Sequence, residues 1–104
     1  MKIEVKEYVE LKKEEMSNII NYFEEEMKSE MKDVNQHHGD EKATKEKYLK
    51  YMDNSVKTSM DEALGTITFS RINKLIKDEE ANILVSEITE AWIEATREAV
   101  RRTL

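Results

Sequence analysis

The sequence predicts an all-α fold, a small antiparallel bundle of three long helices with one short helix or strand segment before the last of them. Two observations lead to this prediction. The 104-residue chain contains no proline and only two glycines, so few residues can interrupt a helix once it has begun. In three stretches the apolar residues recur at steps of three and four, the spacing that places them along one face of a helix.

The first helix is predicted over residues 11–34. Its apolar side chains share the spacing of one helix face: Met16, Ile20, Phe23, Met27, Met31 and Val34. The preceding residues 2–6 alternate between charged and apolar, which is typical of a strand, but the segment is too short to distinguish a strand from the start of a helix. An α+β alternative, with a minor two-stranded pairing of 2–6 with 66–69, therefore stays open.

A loop and a second helix follow. The apolar pattern stops over 35–41, where Gly39 and polar residues favour a turn. The pattern resumes over 43–64, which predicts the second helix, and Gly65 is expected to end it. Beyond Gly65, the β-branched cluster 66–68 and the N-cap residue Ser70 predict a short helix or strand within 66–77.

The third helix is predicted to begin at 78–80, where three acidic residues suit the positive end of a helix dipole, and to reach the end of the chain. Its apolar face is a candidate seam between two copies, because alanines permit close helix approach and Trp92 provides a large anchor. The candidate seam residues are Leu84, Ile88, Ala91, Trp92, Ala95 and Ala99. Packing inside one bundle is the simpler interpretation of the same pattern.

Composition restricts the class of protein. A chain of 104 residues suits one helical domain, 1–104, with one core. The net charge of −6 disfavours nonspecific attraction to nucleic acid or anionic lipid, and the absence of cysteine excludes disulfides and thiolate metal sites. The first residues lack the apolar core of a signal peptide, and no later run has bilayer-spanning length. We therefore expect an acidic cytoplasmic protein without a membrane partner.

The segment 63–77 differs in charge from the rest of the chain. It contains no acidic residue and carries Arg71, Lys74 and Lys77. The order of Leu64-Gly65, a short turn with Ile67 and then 70–77 resembles the turn and recognition helix of a helix-turn-helix. The resemblance implies DNA contacts from Thr68, Ser70, Arg71, Asn73, Lys74 and Lys77. A plain connector with solvated basic side chains is the favoured interpretation.

The sequence shows no pattern for catalysis or for a cofactor. It contains no recognisable nucleophile constellation, phosphate-binding glycine loop or dinucleotide fingerprint. His37 and His38 are adjacent, and adjacent side chains point apart on a helix or a strand, so no metal site is predicted. We expect a non-catalytic helical interaction or regulatory module that binds a protein partner and forms a homodimer. The alternative is a helix-turn-helix-like DNA-binding regulator with 70–77 as its recognition helix.

Overall fold

Three helices make up almost all of the computed structural model, which describes residues 4–36 and 39–104. Helix α1 spans Val5–Gln36, α2 spans Glu41–Ile72 and α3 spans Asp78–Thr103. The predicted all-α bundle is confirmed, and the described residues contain no strand. The molecule is elongated, with extents of 57 × 26 × 15 Å.

Ion pairs between the helices show their relative directions. In α1 and α2, Lys12 pairs with Glu62 and Glu30 pairs with Lys47, so the two helices run antiparallel. In α1 and α3, Lys13 pairs with Glu87 and Glu24 pairs with Arg102, so these helices run parallel. The chain therefore goes up, down and up, as expected for helices joined by short connections.

The core lies along the shared axis of the three helices. Each helix contributes apolar side chains at steps of three, four or seven, which is one helix face. The buried core residues are Val9, Met16, Ile20, Met52, Val56, Ala63, Ile67, Ala81, Leu84, Ile88, Ala95 and Ala99. The apolar spacing therefore predicted the inner face of each helix correctly.

The prediction that Gly65 ends the second helix is wrong. Helix α2 continues through Gly65 to Ile72, because Ala63, Ile67 and Ser70 extend its buried face by steps of four and three. A glycine inside a helix costs about 1 kcal/mol relative to alanine, whereas burying one isoleucine side chain contributes about 1.5–3 kcal/mol. Burial against the neighbouring helices therefore outweighs the local preference for a break.

The short helix or strand predicted within 66–77 is wrong for the same reason. Residues 66–69 are helical and belong to α2, so they cannot pair as a strand with 2–6. On the other side of that predicted pairing, Val5 and Lys6 begin α1, while Lys2 and Ile3 lie outside the described residues.

The connection from α2 to α3 contains an unusual backbone conformation. Lys74 has a φ of 58°, and it is the one described residue other than glycine with a positive φ. The Leu75 amide donates a hydrogen bond to the Ser70 carbonyl at 2.8 Å, which is the pattern of a Schellman motif closing a helix. The left-handed position of such a motif usually holds glycine, so Lys74 introduces local strain.

The connection from α1 to α2 is closed by ordinary capping. The Asp40 carboxylate accepts a hydrogen bond from the Ala43 amide at 3.1 Å and caps the start of α2. The Gly39 amide donates to the Val34 carbonyl at 2.8 Å. His37 and His38, for which no metal site is predicted, lie outside the described residues.

Candidate interaction surface

The candidate seam on α3 faces the inside of the bundle. Four of its members, Leu84, Ile88, Ala95 and Ala99, are buried in the core of the single chain. Ala91 and Trp92 are partly buried and pack against that core. A second copy could reach the four buried side chains only if the bundle opened. Self-association therefore stays a prediction, and it requires a different surface.

The candidate DNA contacts do not share one helix. Ser70 is buried, while Thr68 and Arg71 are exposed on the last turns of α2. Asn73 and Lys74 lie in the turn, where the Asn73 side-chain amide donates to the Phe69 carbonyl at 2.8 Å. Lys77 is the N-cap of α3.

The recognition helix predicted over 70–77 is therefore wrong. A helix that enters a major groove must present several side chains from one continuous face, and this segment spans the end of α2 and a turn. DNA binding by the exposed candidate residues stays a prediction, but these residues do not form a recognition helix.

The outward side of α2 between residues 54 and 72 is exposed and carries few charged side chains. It lies opposite the buried positions of the helix and follows steps of three and four. We call this surface the outer α2 face; all its members are exposed, and they are Asn54, Lys57, Thr58, Asp61, Gly65, Thr68, Phe69 and Ile72. Lys57 and Asp61, four residues apart, are its two charged members.

Such a face is uncommon in this protein, in which 38% of the residues are charged. The exposed positions of α1 are more often charged; they include Glu7, Glu10, Glu14, Glu25 and Lys32 beside Leu11 and Tyr22. The outer α2 face instead presents mostly small, uncharged and apolar side chains. A large exposed apolar surface on a small protein typically marks an interaction site.

The large apolar members of the outer α2 face are mostly exposed. Phe69 is 63% exposed and Ile72 is 66% exposed. Other exposed aromatic residues do have partners: Tyr22 packs edge-on against Phe23 at 5.2 Å between ring centroids, and Tyr51 packs against Tyr48 at 5.4 Å. Phe69 forms no comparable aromatic pair among the described residues.

A groove of mixed polarity continues from Phe69 toward the start of α1. It has a volume of about 700 Å³, and its apolar lining includes Val5, Tyr8, Leu75 and Ile76. The polar part of its lining consists of Glu4, Lys6, Thr66, Ser70 and Glu80. The groove enlarges the apolar area next to the outer α2 face.

Gly65 has no structural reason for being glycine within the single chain. Neither described glycine has a positive φ, and a Cβ added at Gly65 would meet no described atom within 4 Å. Alanine would therefore fit, and it would favour the helix by about 1 kcal/mol. A glycine on an exposed helix face does allow another helix backbone to approach closely.

Asp61, Arg71 and Lys57 form no ion pair with the described residues, whereas Glu62 on the same helix pairs with Lys12. Lys12 lies 2.9 Å from both Glu62 and Glu15. Burial alone would lower the pKa of Lys12, but hydrogen bonds from its ammonium group to these carboxylates raise it above its usual value. Unlike Lys12, Asp61 and Arg71 have no ion-pair partner among the described residues, so they are available to a partner molecule.

The far end of the bundle contains a denser ionic network. Arg102 donates to Glu98 at 2.7 Å and to Glu24 at 3.2 Å, joining α3 to α1. Hydrogen bonds from Arg102 and then Arg101 lower the pKa of the Glu98 carboxyl. The Glu98 contribution to stability is therefore present above the ordinary glutamate pKa and is lost as the pH falls through the lowered pKa of the folded protein.

Two polar atoms on α2 are buried without a hydrogen-bond partner in the part of the chain that the structure describes: Asp53 Oδ1 and Ser59 Oγ. Burial raises the pKa of the Asp53 carboxyl. No described charge pairs with Asp53, so these atoms do not form an acid–base site with a neighbour.

Comparisons with known protein families, curated proteins and solved structures find no significant match to this chain. Over residues 4–36 and 39–104, no helix combines the length and apolarity needed to cross a bilayer. The same residues hold no group of three or more side chains suited to bind a metal ion. The candidate site therefore rests on the geometry of the outer α2 face.

This surface was not predicted from the sequence, because Gly65 was expected to end the second helix. A signal was present: residues 54, 58, 61, 65, 68 and 72 follow helical spacing and include a single charge. It becomes visible only when the helix is continued beyond the glycine.

Proposed function

We propose that the protein is a non-catalytic helical interaction module that self-associates through the outer α2 face. The observation that supports this function is the mostly uncharged, partly apolar character of an exposed helix face in a chain with 38% charged residues. Keeping Phe69 and Ile72 in water has no benefit for an isolated bundle, whereas a partner would bury them at a gain of about 25 cal/mol per Å² of apolar surface.

The total surface area supports an interaction role. A compact monomer of 12.3 kDa exposes about 6,100 Å². The elongated bundle exposes 7218 Å². The excess of about 1,100 Å² is larger than the roughly 800 Å² that each partner contributes to a standard protein interface. Side-by-side association of two elongated copies would remove such an excess from water.

Sedimentation equilibrium from low micromolar to near-millimolar loading concentration tests this function. We expect the wild-type mass to rise toward twice the chain mass, and Phe69→Glu to remain monomeric where the wild type associates, because the new charge would be buried unpaired. The matched control is Leu11→Glu, which adds the same charge at an apolar residue 51% exposed on α1.

A wild-type protein that stays monomeric over the whole range would contradict the proposal. Equal loss of association in Phe69→Glu and Leu11→Glu would also contradict it, because the effect would then come from net charge and not from the outer α2 face.

A further inference from the structure

We infer that the second copy lies antiparallel on the outer α2 face, across a two-fold axis near Gly65, with Asp61 of each copy beside Arg71 of the other. This inference rests on the proposed function, because it names the partner of the same surface and the direction in which that partner binds.

The charge order along α2 is the first argument. Asp61 precedes Gly65 and Arg71 follows it, and Lys57 lies one turn before Asp61. All three are exposed and without an ion pair among the described residues. Parallel α2 helices would place Asp61 opposite Asp61, which is repulsive. Antiparallel helices reverse the order, so that each Asp61 meets an Arg71.

The angular positions on the helix give the second argument. At about 100° per residue, Asp61 and Arg71 lie on the same side of the outward direction. When a two-fold axis perpendicular to two antiparallel helices relates the copies, the side of α2 that carries Asp61 and Arg71 in one copy faces the same side of α2 in the other. The Asp61–Arg71 contact therefore forms twice, once at each side of the axis, and the interface complements itself.

The small residues near the axis give the third argument. The midpoint between Asp61 and Arg71 falls next to Gly65, where no described atom occupies the space of a Cβ. Two helix backbones can approach closely at such a position. Ile72 of each copy then lies over the turn between Thr58 and Asp61 of the other. Ile72 thereby becomes covered, and the close approach gives a structural reason for glycine at this position.

Charge reversal tests the direction of the pairing. In sedimentation equilibrium, we expect Asp61→Arg and Arg71→Asp each to raise the dissociation constant about tenfold, because two symmetric contacts become repulsive. The double variant restores wild-type association, and an equimolar mixture of the two single variants forms a heterodimer of similar affinity. The matched control, Glu90→Arg on the exposed surface of α3, leaves the dissociation constant unchanged.

Cross-linking provides a second measurement, because the chain contains no cysteine. In the antiparallel pair, the two copies of residue 68 are separated by about 6 Å along the helix axis and those of residue 58 by about 24 Å. A short bifunctional maleimide should therefore join copies of Thr68→Cys and leave Thr58→Cys unlinked. Circular dichroism of each variant confirms that the bundle remains folded.

The outcomes separate the inference from the function it rests on. A wild-type dimer whose dissociation constant is unchanged by both single charge reversals, or one that cross-links through Thr58→Cys as readily as through Thr68→Cys, overturns the antiparallel pairing and leaves self-association standing. A wild-type protein that never dimerises overturns both.

Discussion

On its inner face, α2 buries Val56 and Ile67 almost completely, whereas on its outer face it leaves Phe69 and Ile72 more than 60% exposed. Both faces belong to one continuous helix, and both carry large apolar side chains. The inner residues are covered by α1 and α3, whereas the outer ones lie outside that core and stay mostly exposed. Apolar spacing in a helix therefore shows where burial is favourable, without showing whether the same chain provides the cover.

Truncating one isoleucine on each face gives the largest expected difference. Ile67→Ala should lower the free energy of unfolding by about 2–4 kcal/mol, because it removes buried methyl groups and leaves a cavity. Ile72→Ala, on the same helix, should change it by less than about 0.5 kcal/mol in dilute solution. Urea unfolding at low protein concentration measures both, and equal losses would show that the outer face is buried within the monomer.

Replacing Gly65 by alanine should have opposite effects on the stability of the monomer and on self-association. Gly65→Ala should stabilise the dilute monomer by up to about 1 kcal/mol, because alanine favours the helix and meets no neighbour. The same change should weaken self-association, because the added Cβ separates the two backbones. Urea unfolding of the dilute protein and sedimentation at high concentration measure the two effects.

Gly39→Ala is the matched control, since its Cβ would lie 3.1 Å from Val34 Cγ1 and should give no comparable gain. A dilute monomer destabilised by Gly65→Ala would mean that the glycine is needed within the chain.

The turn that follows the outer α2 face gives the smallest expected effect. Lys74→Gly should stabilise the protein by about 0.5 kcal/mol, because glycine adopts the positive φ without the steric cost that lysine carries. Lys77→Gly, at a residue with a φ of −79°, should give no gain because glycine only adds freedom to the unfolded chain there. Thermal unfolding compares the pair, and an equal response of both variants would show that strain at Lys74 is negligible.

Several features of the fold could be predicted because they depend on neighbours along the chain. The periodic placement of Met16 and Ile20, or of Leu84 and Ile88, identified the buried face of α1 and α3. The turn around Gly39 and the acidic start of α3 at Asp78 were also found from local chemistry.

The site could not be predicted in the same way. Ala95 and Ala99 suit a seam between two copies and a seam inside one bundle equally well, because small residues permit close packing in either case. The basic residues around Arg71 suggested a recognition helix, and only the course of α2 showed that the segment 70–77 spans a helix end and a turn.

Sequence alone determined that this chain forms long amphipathic helices, since a side chain's position on a helix depends only on its spacing from its neighbours. The tertiary structure decided that α2 passes through Gly65 and that the alanines of α3 lie inside, because both outcomes depend on burial against helices distant in sequence. It also decided which face stays uncovered, since contacts between helices determine which apolar side chains remain in water.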